Sequence, residues 1–184
     1  MTLRYRVTLT GIKGFFRVYE LDSETTLYTF HKQLRSDLEF PQDQLILFKA
    51  LDEKGGVVAR YGLFDLGSGT VDNITLQQTL DAGVVSFVYF YDVTSRKSVN
   101  ITFEEEVPGK KVPVHFPLLT DTKGPIPLEF ENGYVAYEDL PPEQKHLPGE
   151  EGWNDDDDDD LDLDEDEDEE DEDEDGKEIY DENE

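Results

Sequence analysis

Residues 3–38 carry the pattern that decides the fold, LRYRVTLTGIKGFFRVYELDSETTLYTFHKQLRSDL. In the first eight positions apolar residues alternate with polar ones, which is the period of a strand with one buried face. After the turn at 11–14, a run of aromatic and branched residues at 15–21 predicts the second strand of a hairpin. The stretch ends with large apolar residues three or four positions apart, at Leu27, Phe30, Leu34 and Leu38. That spacing is the stripe of an amphipathic helix.

The helix is predicted over residues 26–38, because Thr25 or Thr26 can cap its start and Pro41 stops it. Further strands are predicted at 45–51, 57–61, 84–91 and 99–103, with a short helix at 74–80. The run 84–91 is apolar on both faces, so we expect it inside the sheet. These elements predict an α+β fold, a single mixed sheet of five or six strands with the helix 26–38 packed on it. The ββαββ start would suit a β-grasp-like arrangement.

The segment 107–150 contains eight of the nine prolines and is predicted to be an irregular strap on the domain. One short helix is expected near 134–140. The strap also carries large apolar residues that we expect to be buried: Phe116, Leu118, Leu119, Ile126, Phe130, Tyr134 and Tyr137.

The charge of the chain is concentrated at its C-terminal end. The 184 residues include 46 acidic and 16 basic ones, for a net charge of −30, and residues 155–184 account for −22 of it. A block of like charge with few apolar residues cannot offset the entropy of ordering. We therefore predict a domain at 1–150 and a disordered acidic tail at 151–184. Three interpretations of the tail remain open. It keeps the protein soluble, it attracts basic partners or mimics a nucleic acid, or it binds divalent cations weakly.

Composition excludes several classes of protein. The chain has no cysteine, which rules out disulfides, thiolate metal sites and cysteine nucleophiles. The three histidines have no metal-ligand spacing, so neither a metal nor another cofactor is expected. The most apolar run, 84–90, has seven residues including Ser86, far short of the roughly 20 that span a bilayer. We expect a cytoplasmic protein without membrane contact.

Taken in series, the elements resemble the plasmid pRi ORF-three-like family, whose members also carry the label TnpR-like, for transposon passengers. Phe16-Arg17 stands at the family's Trp-Arg position, 27–31 (LYTFH) matches its helix motif, and 40–48 matches the segment after it. Of the later Tyr-Asp signature only Tyr91-Asp92 remains. The resemblance spans 2–106 and extends weakly to 137. It implies an α+β domain. The label suggests a resolvase, but the sequence lacks a serine nucleophile with a supporting arginine cluster.

Four residues are candidates for a ligand site: Arg17, His31, Tyr91 and Asp92. Arg17 can bind an anion or pair with a carboxylate, and His31, beside the apolar stripe, can be a structural histidine or a general base. Asp92 follows a buried strand, where it can form a turn or a site. None of the four is assigned as catalytic.

Three functions compete. The first is a non-enzymatic binding or adaptor domain whose partner is a protein. If that partner is basic, the acidic tail would attract it. The second is a mobile-element-associated accessory protein with hydrolytic activity, acting through His31 and Asp92. Direct nucleic-acid binding, the third, is disfavoured by the net charge, although Arg4, Arg6, Lys13 and Arg17 could form a small basic edge.

Overall fold

The alternating start of the chain forms a strand, and the apolar stripe forms a helix, as predicted. The computed structural model describes residues 1–145. Its strands are β1 (Thr2–Leu9), β2 (Ile12–Asp22), β3 (Leu47–Leu51), β4 (Val57–Gly62), β5 (Ser86–Asp92), β6 (Lys97–Val107) and β7 (Leu118–Lys123). Its helices are α1 (Leu27–Asp37), α2 (Leu76–Asp81) and α3 (Pro127–Glu131), followed by single 3-10 turns at Tyr137–Asp139 and Pro142–Gln144.

The main helix is confirmed. The Thr26 hydroxyl caps its start by accepting a hydrogen bond from the backbone N–H of Thr29 at 3.2 Å. The helix ends at Asp37, a few residues before Pro41. All four residues of the predicted stripe are fully buried: Leu27, Phe30, Leu34 and Leu38. The helix packs on the sheet through Phe30, whose ring centroid lies 6.0 Å from that of Tyr5 on β1 and 5.5 Å from that of Tyr19 on β2.

Within residues 1–145 the sheet has seven strands in the order β4-β3-β5-β6-β1-β2-β7, and all neighbouring strands are antiparallel. The α+β class is confirmed, but a mixed sheet of five or six strands was the wrong prediction. The two hairpins, β1–β2 and β3–β4, are separated by β5 and β6. The β-grasp-like arrangement of the ββαββ start stays a prediction. The strand predicted to be internal, β5, does lie between β3 and β6.

The proline-rich segment is more regular than predicted. It supplies β7, which pairs with β2 at the edge of the sheet, and the short helix α3. The helix expected near 134–140 is only the 3-10 turn Tyr137–Asp139. Four of the side chains predicted to be buried are exposed instead: Phe116, Leu118, Tyr134 and Tyr137. The prolines flank β7 rather than interrupt it, so they leave its N–H groups free to pair.

The C-terminal part of the described chain is fastened to the first hairpin at one close contact. The Asp139 carboxylate accepts hydrogen bonds from the backbone N–H groups of Lys13 and Gly14 at 2.8 and 3.0 Å. A Cβ at position 14 would lie 2.0 Å from the Cβ of Ala136, so glycine is required there. The predicted domain boundary at 150 and the acidic tail lie outside the described residues.

Candidate functional site

A small cleft opens where the C-terminal end of α1 meets the end of β5 and the helix α3. We call it the polar cleft. Its volume is about 100 Å3, and it is lined by residues 38–41, Tyr91, Asp92, Lys97, Leu128 and Glu131. Two of the four residues predicted from the sequence, Tyr91 and Asp92, therefore line the same cleft. The other two do not line it.

The polar groups on one wall of the polar cleft are paired with each other. The Tyr91 hydroxyl donates to Oε1 of Glu131 at 3.3 Å, and Glu131 also accepts from Nζ of Lys97 at 2.8 Å. The Tyr91 ring stacks on Phe40 with centroids 3.8 Å apart and planes 5° from parallel. Burial and the Glu131 charge raise the pKa of Tyr91, so its hydroxyl keeps its proton at neutral pH. This wall is held by contacts within the protein.

Asp92 closes the turn between β5 and β6. Its Oδ1 accepts a hydrogen bond from the backbone N–H of Ser95 at 3.0 Å. Hydrogen bonds from Ser95 lower the pKa of the Asp92 carboxyl, because they stabilise its charged form. Asp92 is therefore ionised at neutral pH and acts as the turn-forming residue considered from the sequence.

His31 lies inside the molecule, on the face of α1 that meets the sheet, and is 2% exposed. Its Nδ1 and the hydroxyl of Tyr89 share a hydrogen bond of 2.6 Å. Burial lowers the pKa of His31 to about 4, and the charges of Arg35 and Lys32 act in the same direction. The imidazole is therefore neutral at neutral pH. It lies on no wall of the polar cleft that Asp92 lines.

Arg17 binds backbone carbonyls rather than an anion or a carboxylate. Its guanidinium donates to the carbonyl oxygens of Lys123 at 2.7 Å and of Gly124 at 2.9 Å, and it lies 4.7 Å from the centroid of the Phe15 ring. The side chain is 7% exposed, and burial lowers its pKa. Arg17 thus ties β2 to the end of β7.

Two of the four residues of the small basic edge considered from the sequence, Arg4 and Arg6, are paired with acidic side chains. Arg4 bridges Glu20, at 3.0 Å, and Glu105, while Arg6 pairs with Glu104. Arg17 is buried as well, so Lys13 alone of the four is exposed and outside the ion pairs of residues 1–145. One such cation is not the basic face that nucleic-acid binding needs.

A second depression was missed by the sequence analysis. It lies where β3 begins, β4 ends and β5 leads into its turn, and we call it the apolar groove. Its volume is about 200 Å3, and it is lined by residues 45–47, 62–64, Leu66 and Val93. Every lining side chain is apolar, yet Phe64 is 72% exposed, Leu66 57% and Leu45 56%. The available signal was the run Leu63-Phe64-Asp65-Leu66, three large apolar residues at the start of a glycine-containing loop.

The loop that carries Phe64 and Leu66 is ordered by Asp65. Its Oδ1 accepts hydrogen bonds from the backbone N–H groups of Gly67 at 2.7 Å and Gly69 at 3.0 Å. Both glycines have positive φ, 103° and 100°, which other residues rarely adopt. These hydrogen bonds lower the pKa of the Asp65 carboxyl. The loop therefore presents its two apolar side chains from a defined turn.

Within residues 1–145, no three His, Asp or Glu side chains are arranged to hold a metal ion. Over the same range, no helix is long and apolar enough to cross a bilayer.

The family model for the plasmid pRiA4b ORF-3-like protein matches residues 1–151. Among solved structures, the chain is similar to a protein of unknown function, MM3350, from Methanosarcina mazei Go1, with a TM-score of 0.52 and 17% identity over 68% of this chain and 70% of that one. At that identity the likeness concerns the fold alone. No curated protein sequence matches the chain. Because the family model covers more than four fifths of its residues, the chain belongs to the plasmid pRiA4b ORF-3-like protein family.

Proposed function

We propose that this protein is a binding or adaptor domain that docks a protein partner in the apolar groove, and that its acidic residues 155–184 attract basic partners. The groove is the observation that carries the proposal. Five of its lining side chains are large, apolar and at least one third exposed: Leu45, Leu63, Phe64, Leu66 and Val93. Single exposed apolar residues are normal on a surface, but a contiguous set in one concavity is typical of an interaction site.

The polar cleft supports a binding function less well. Its volume is half that of the apolar groove, and Tyr91, Lys97 and Glu131 already satisfy one another. The hydrolytic alternative also gains no support, since His31 is neutral, buried and bonded to Tyr89. The apolar side chains of the groove have no hydrogen bonds to satisfy. Covering them with another chain removes apolar surface from water, which favours binding.

The acidic region contributes through its charge. Residues 155–184 carry −22, and a concentration of one sign raises the encounter rate with partners of the other sign. We assign affinity to the apolar groove and attraction to the acidic region. The domain at 1–150 and the acidic segment at 151–184 are the two functional parts in this proposal.

A peptide-display selection on the full chain tests the docking site. The variant Phe64→Ser removes the most exposed ring of the groove. Phe116→Ser is its matched control, because Phe116 is 71% exposed and lies outside the groove. We expect wild type and Phe116→Ser to enrich the same peptides and Phe64→Ser to lose them. Equal enrichment by Phe64→Ser would show that the groove is not the docking site.

A further inference from the structure

The sheet has one face on which α1 packs and another that points away from that helix. On β5 every second side chain, from Phe87 to Tyr91, is buried on the α1 face, where Tyr89 bonds His31. The side chains between them are partly exposed, and cross-strand partners in β3, β4 and β6 share their side of the sheet. We call this surface the open face. It consists of Leu47, Lys49, Leu51, Arg60, Gly62, Ser86, Val88, Phe90, Ser98, Asn100 and Thr102.

Two cations stand directly opposite each other on the open face. Lys49 of β3 and Arg60 of β4 are cross-strand partners, and the neighbour of Lys49 on β5 is the apolar Val88. Within residues 1–145 neither cation takes part in an ion pair. Like charges directly opposite each other destabilise a sheet, so an anion bound between these two would relieve their repulsion.

The open face differs in charge from the rest of the domain. Residues 1–145 contain 21 acidic and 15 basic residues, yet the open face includes two basic residues and no acidic one. On the same side of the sheet, the partner of Thr102 on β1 is Arg6, and Arg6 pairs with Glu104. Lys49 and Arg60 have no such acidic partner in the described part of the chain.

Acidic residues near the ends of these strands are bound to turns. Oδ1 of Asp52 accepts hydrogen bonds from the backbone N–H groups of Lys54 at 2.9 Å and Gly56 at 2.7 Å. Asp65 and Asp92 accept backbone N–H groups in their own turns in the same way. These carboxylates therefore order the loops between strands and leave the two cations without an ion-pair partner.

The two cations lie beside the apolar groove. Leu47 and Gly62, which line the groove, are cross-strand partners. Lys49 and Arg60 are the next residues on that side of the same two strands. A Cβ at position 62 would lie 3.5 Å from Cδ1 of Leu66, so this wall of the groove is on the open face. Two residues of a strand span roughly 7 Å, which is the distance along the strands from the groove to the cations.

This spacing and this charge favour an extended peptide as the occupant. Side chains two positions apart in an extended peptide lie on the same side, again roughly 7 Å from each other. An apolar side chain in the groove thus places the side chain two positions away over the two cations. A nucleic acid would meet the net charge of −30 along its length, and a second copy of the chain would bring two such charges together. A single carboxylate meets mainly the charges within about 8 Å, because salt screens the others.

We infer that the apolar groove and the open face together bind an extended segment of a protein partner, which has one large apolar residue and, two positions from it, an aspartate or glutamate paired with Lys49 and Arg60. This inference rests on the proposed function and adds the motif that the docked segment carries. It concerns that segment alone, so a partner whose overall charge is basic can also carry the motif. The apolar residue contributes affinity, and the carboxylate selects this segment from other apolar ones.

Fluorescence anisotropy with the full chain and labelled synthetic peptides tests the inference. The main probe has a central phenylalanine and a glutamate two positions away on either side, so that it can bind in either direction. Its other residues are uncharged. A second probe has glutamine in place of both glutamates. A third has the composition of the main probe but carries the glutamates next to the phenylalanine, where they point to the opposite side of an extended chain. The fourth probe is a labelled single-stranded oligonucleotide.

The protein variants separate the cations from the groove. The open-face variant, Lys49→Gln with Arg60→Gln, removes both cations. Its matched control, Lys54→Gln with Lys111→Gln, removes the same charge from two exposed lysines outside the groove and the open face. Phe64→Ser removes part of the groove wall. Thermal midpoints establish that the variants fold, and that of the open-face variant should equal the wild-type value or exceed it, because a like-charge repulsion is removed.

We expect wild type to bind the main probe about three- to tenfold more tightly than the glutamine probe and the rearranged probe, with the difference shrinking as salt is added. The open-face variant should lose this preference, and the control variant should keep it. The inference is wrong if wild type binds the three peptides equally or does not bind the main probe, or if the open-face variant keeps the preference. Tighter binding of the oligonucleotide than of the main probe would also overturn it, by identifying a nucleic acid as the ligand.

Phe64→Ser distinguishes failure of this inference from failure of the proposed function. If the preference for the main probe is absent but Phe64→Ser still weakens binding of the phenylalanine peptides, the proposed function survives. If Phe64→Ser binds all three peptides as wild type does, the groove is not a docking site and both proposals fail.

Discussion

The polar cleft and the apolar groove are neighbours on the surface, since Asp92 lines the first and the next residue, Val93, lines the second. They differ in what their side chains do. In the polar cleft Tyr91, Lys97 and Glu131 are paired with one another, and Asp92 is bonded to the backbone. In the groove the exposed side chains are carbon surfaces with no such partner. Tyr91, which the sequence analysis selected because of its polar group, thus contributes to the stability of the fold. The apolar side chains of the groove, which that analysis did not select, form the surface that is free to contact another molecule.

The largest expected difference between the two depressions is in stability. Tyr91→Ala removes a buried ring stacked on Phe40, and we expect it to reduce the free energy of unfolding by about 3–5 kcal/mol. Phe64→Ala, in the groove, should change it by no more than about 0.5 kcal/mol, because that ring is exposed. Urea denaturation of both variants measures the contrast. A comparable loss in the two variants would mean that the groove is as much a part of the core as the cleft is.

The buried His31 should make stability depend on pH. In the folded protein its pKa is about 4, below the 6.5 of the free side chain. The stabilisation from keeping His31 neutral is therefore complete above about pH 6.5 and is lost as the pH falls towards 4. The shift corresponds to about 3 kcal/mol.

The control for this prediction is His31→Gln, which leaves the carboxylates of the protein unchanged. Between pH 6.5 and 4 the free energy of unfolding of wild type should fall by about 3 kcal/mol more than that of the variant. Chemical denaturation at a series of pH values provides the measurement. Parallel pH profiles would show that His31 does not titrate at a lowered pKa in the folded state.

A smaller effect is expected at the outer wall of the polar cleft. The ion pair of Lys97 and Glu131 is 42% and 38% exposed, so water and salt screen it. We expect Glu131→Gln to lower the thermal midpoint by less than about 4 °C, with the effect shrinking as salt is added. Differential scanning calorimetry at low and high salt tests this. A larger loss that persists in high salt would indicate that Glu131 holds α3 by more than charge.

The smallest effect on stability is expected from removing the acidic region. A chain cut after Gly149 loses like charge from an already negative protein, so its thermal midpoint should stay within about 2 °C or rise slightly. The same truncation should slow association with basic peptides, which would separate attraction by the acidic residues from docking in the groove. If the midpoint falls by several degrees even in 1 M salt, the removed residues make apolar contacts, and this prediction is wrong.

The first half of the fold could be predicted because its signals are local. The alternation in β1 and the stripe in α1 each describe one buried face within a short window of sequence. The missing strand, β7, has no such pattern, and most of its residues are exposed. It forms because β2 offers it hydrogen bonds across about 100 residues of chain, and Arg17 then binds the carbonyls at its end. No window of sequence contains that information.

The candidate site was predicted less well, for a related reason. Tyr91 and Asp92 are adjacent in the chain, so placing them together needed no tertiary knowledge. Whether His31 is free or buried depends on Tyr89, 58 residues away, and only the packed structure shows their hydrogen bond. The apolar groove combines three separate chain segments. Its side chains would each be expected in the core, where large apolar residues are most often found.

The sequence by itself determined the charge of −30 and its position, the absence of cysteine, and the strands and helix whose periodicity can be read locally. Tertiary structure decided the order of the strands, the presence of the seventh strand and the exposure of Phe64. It also decided that Arg17 and His31 are buried and bonded within the protein. The division has one physical cause. Charge and periodicity are properties of neighbouring residues, whereas burial and pairing depend on what the rest of the chain brings to the same place.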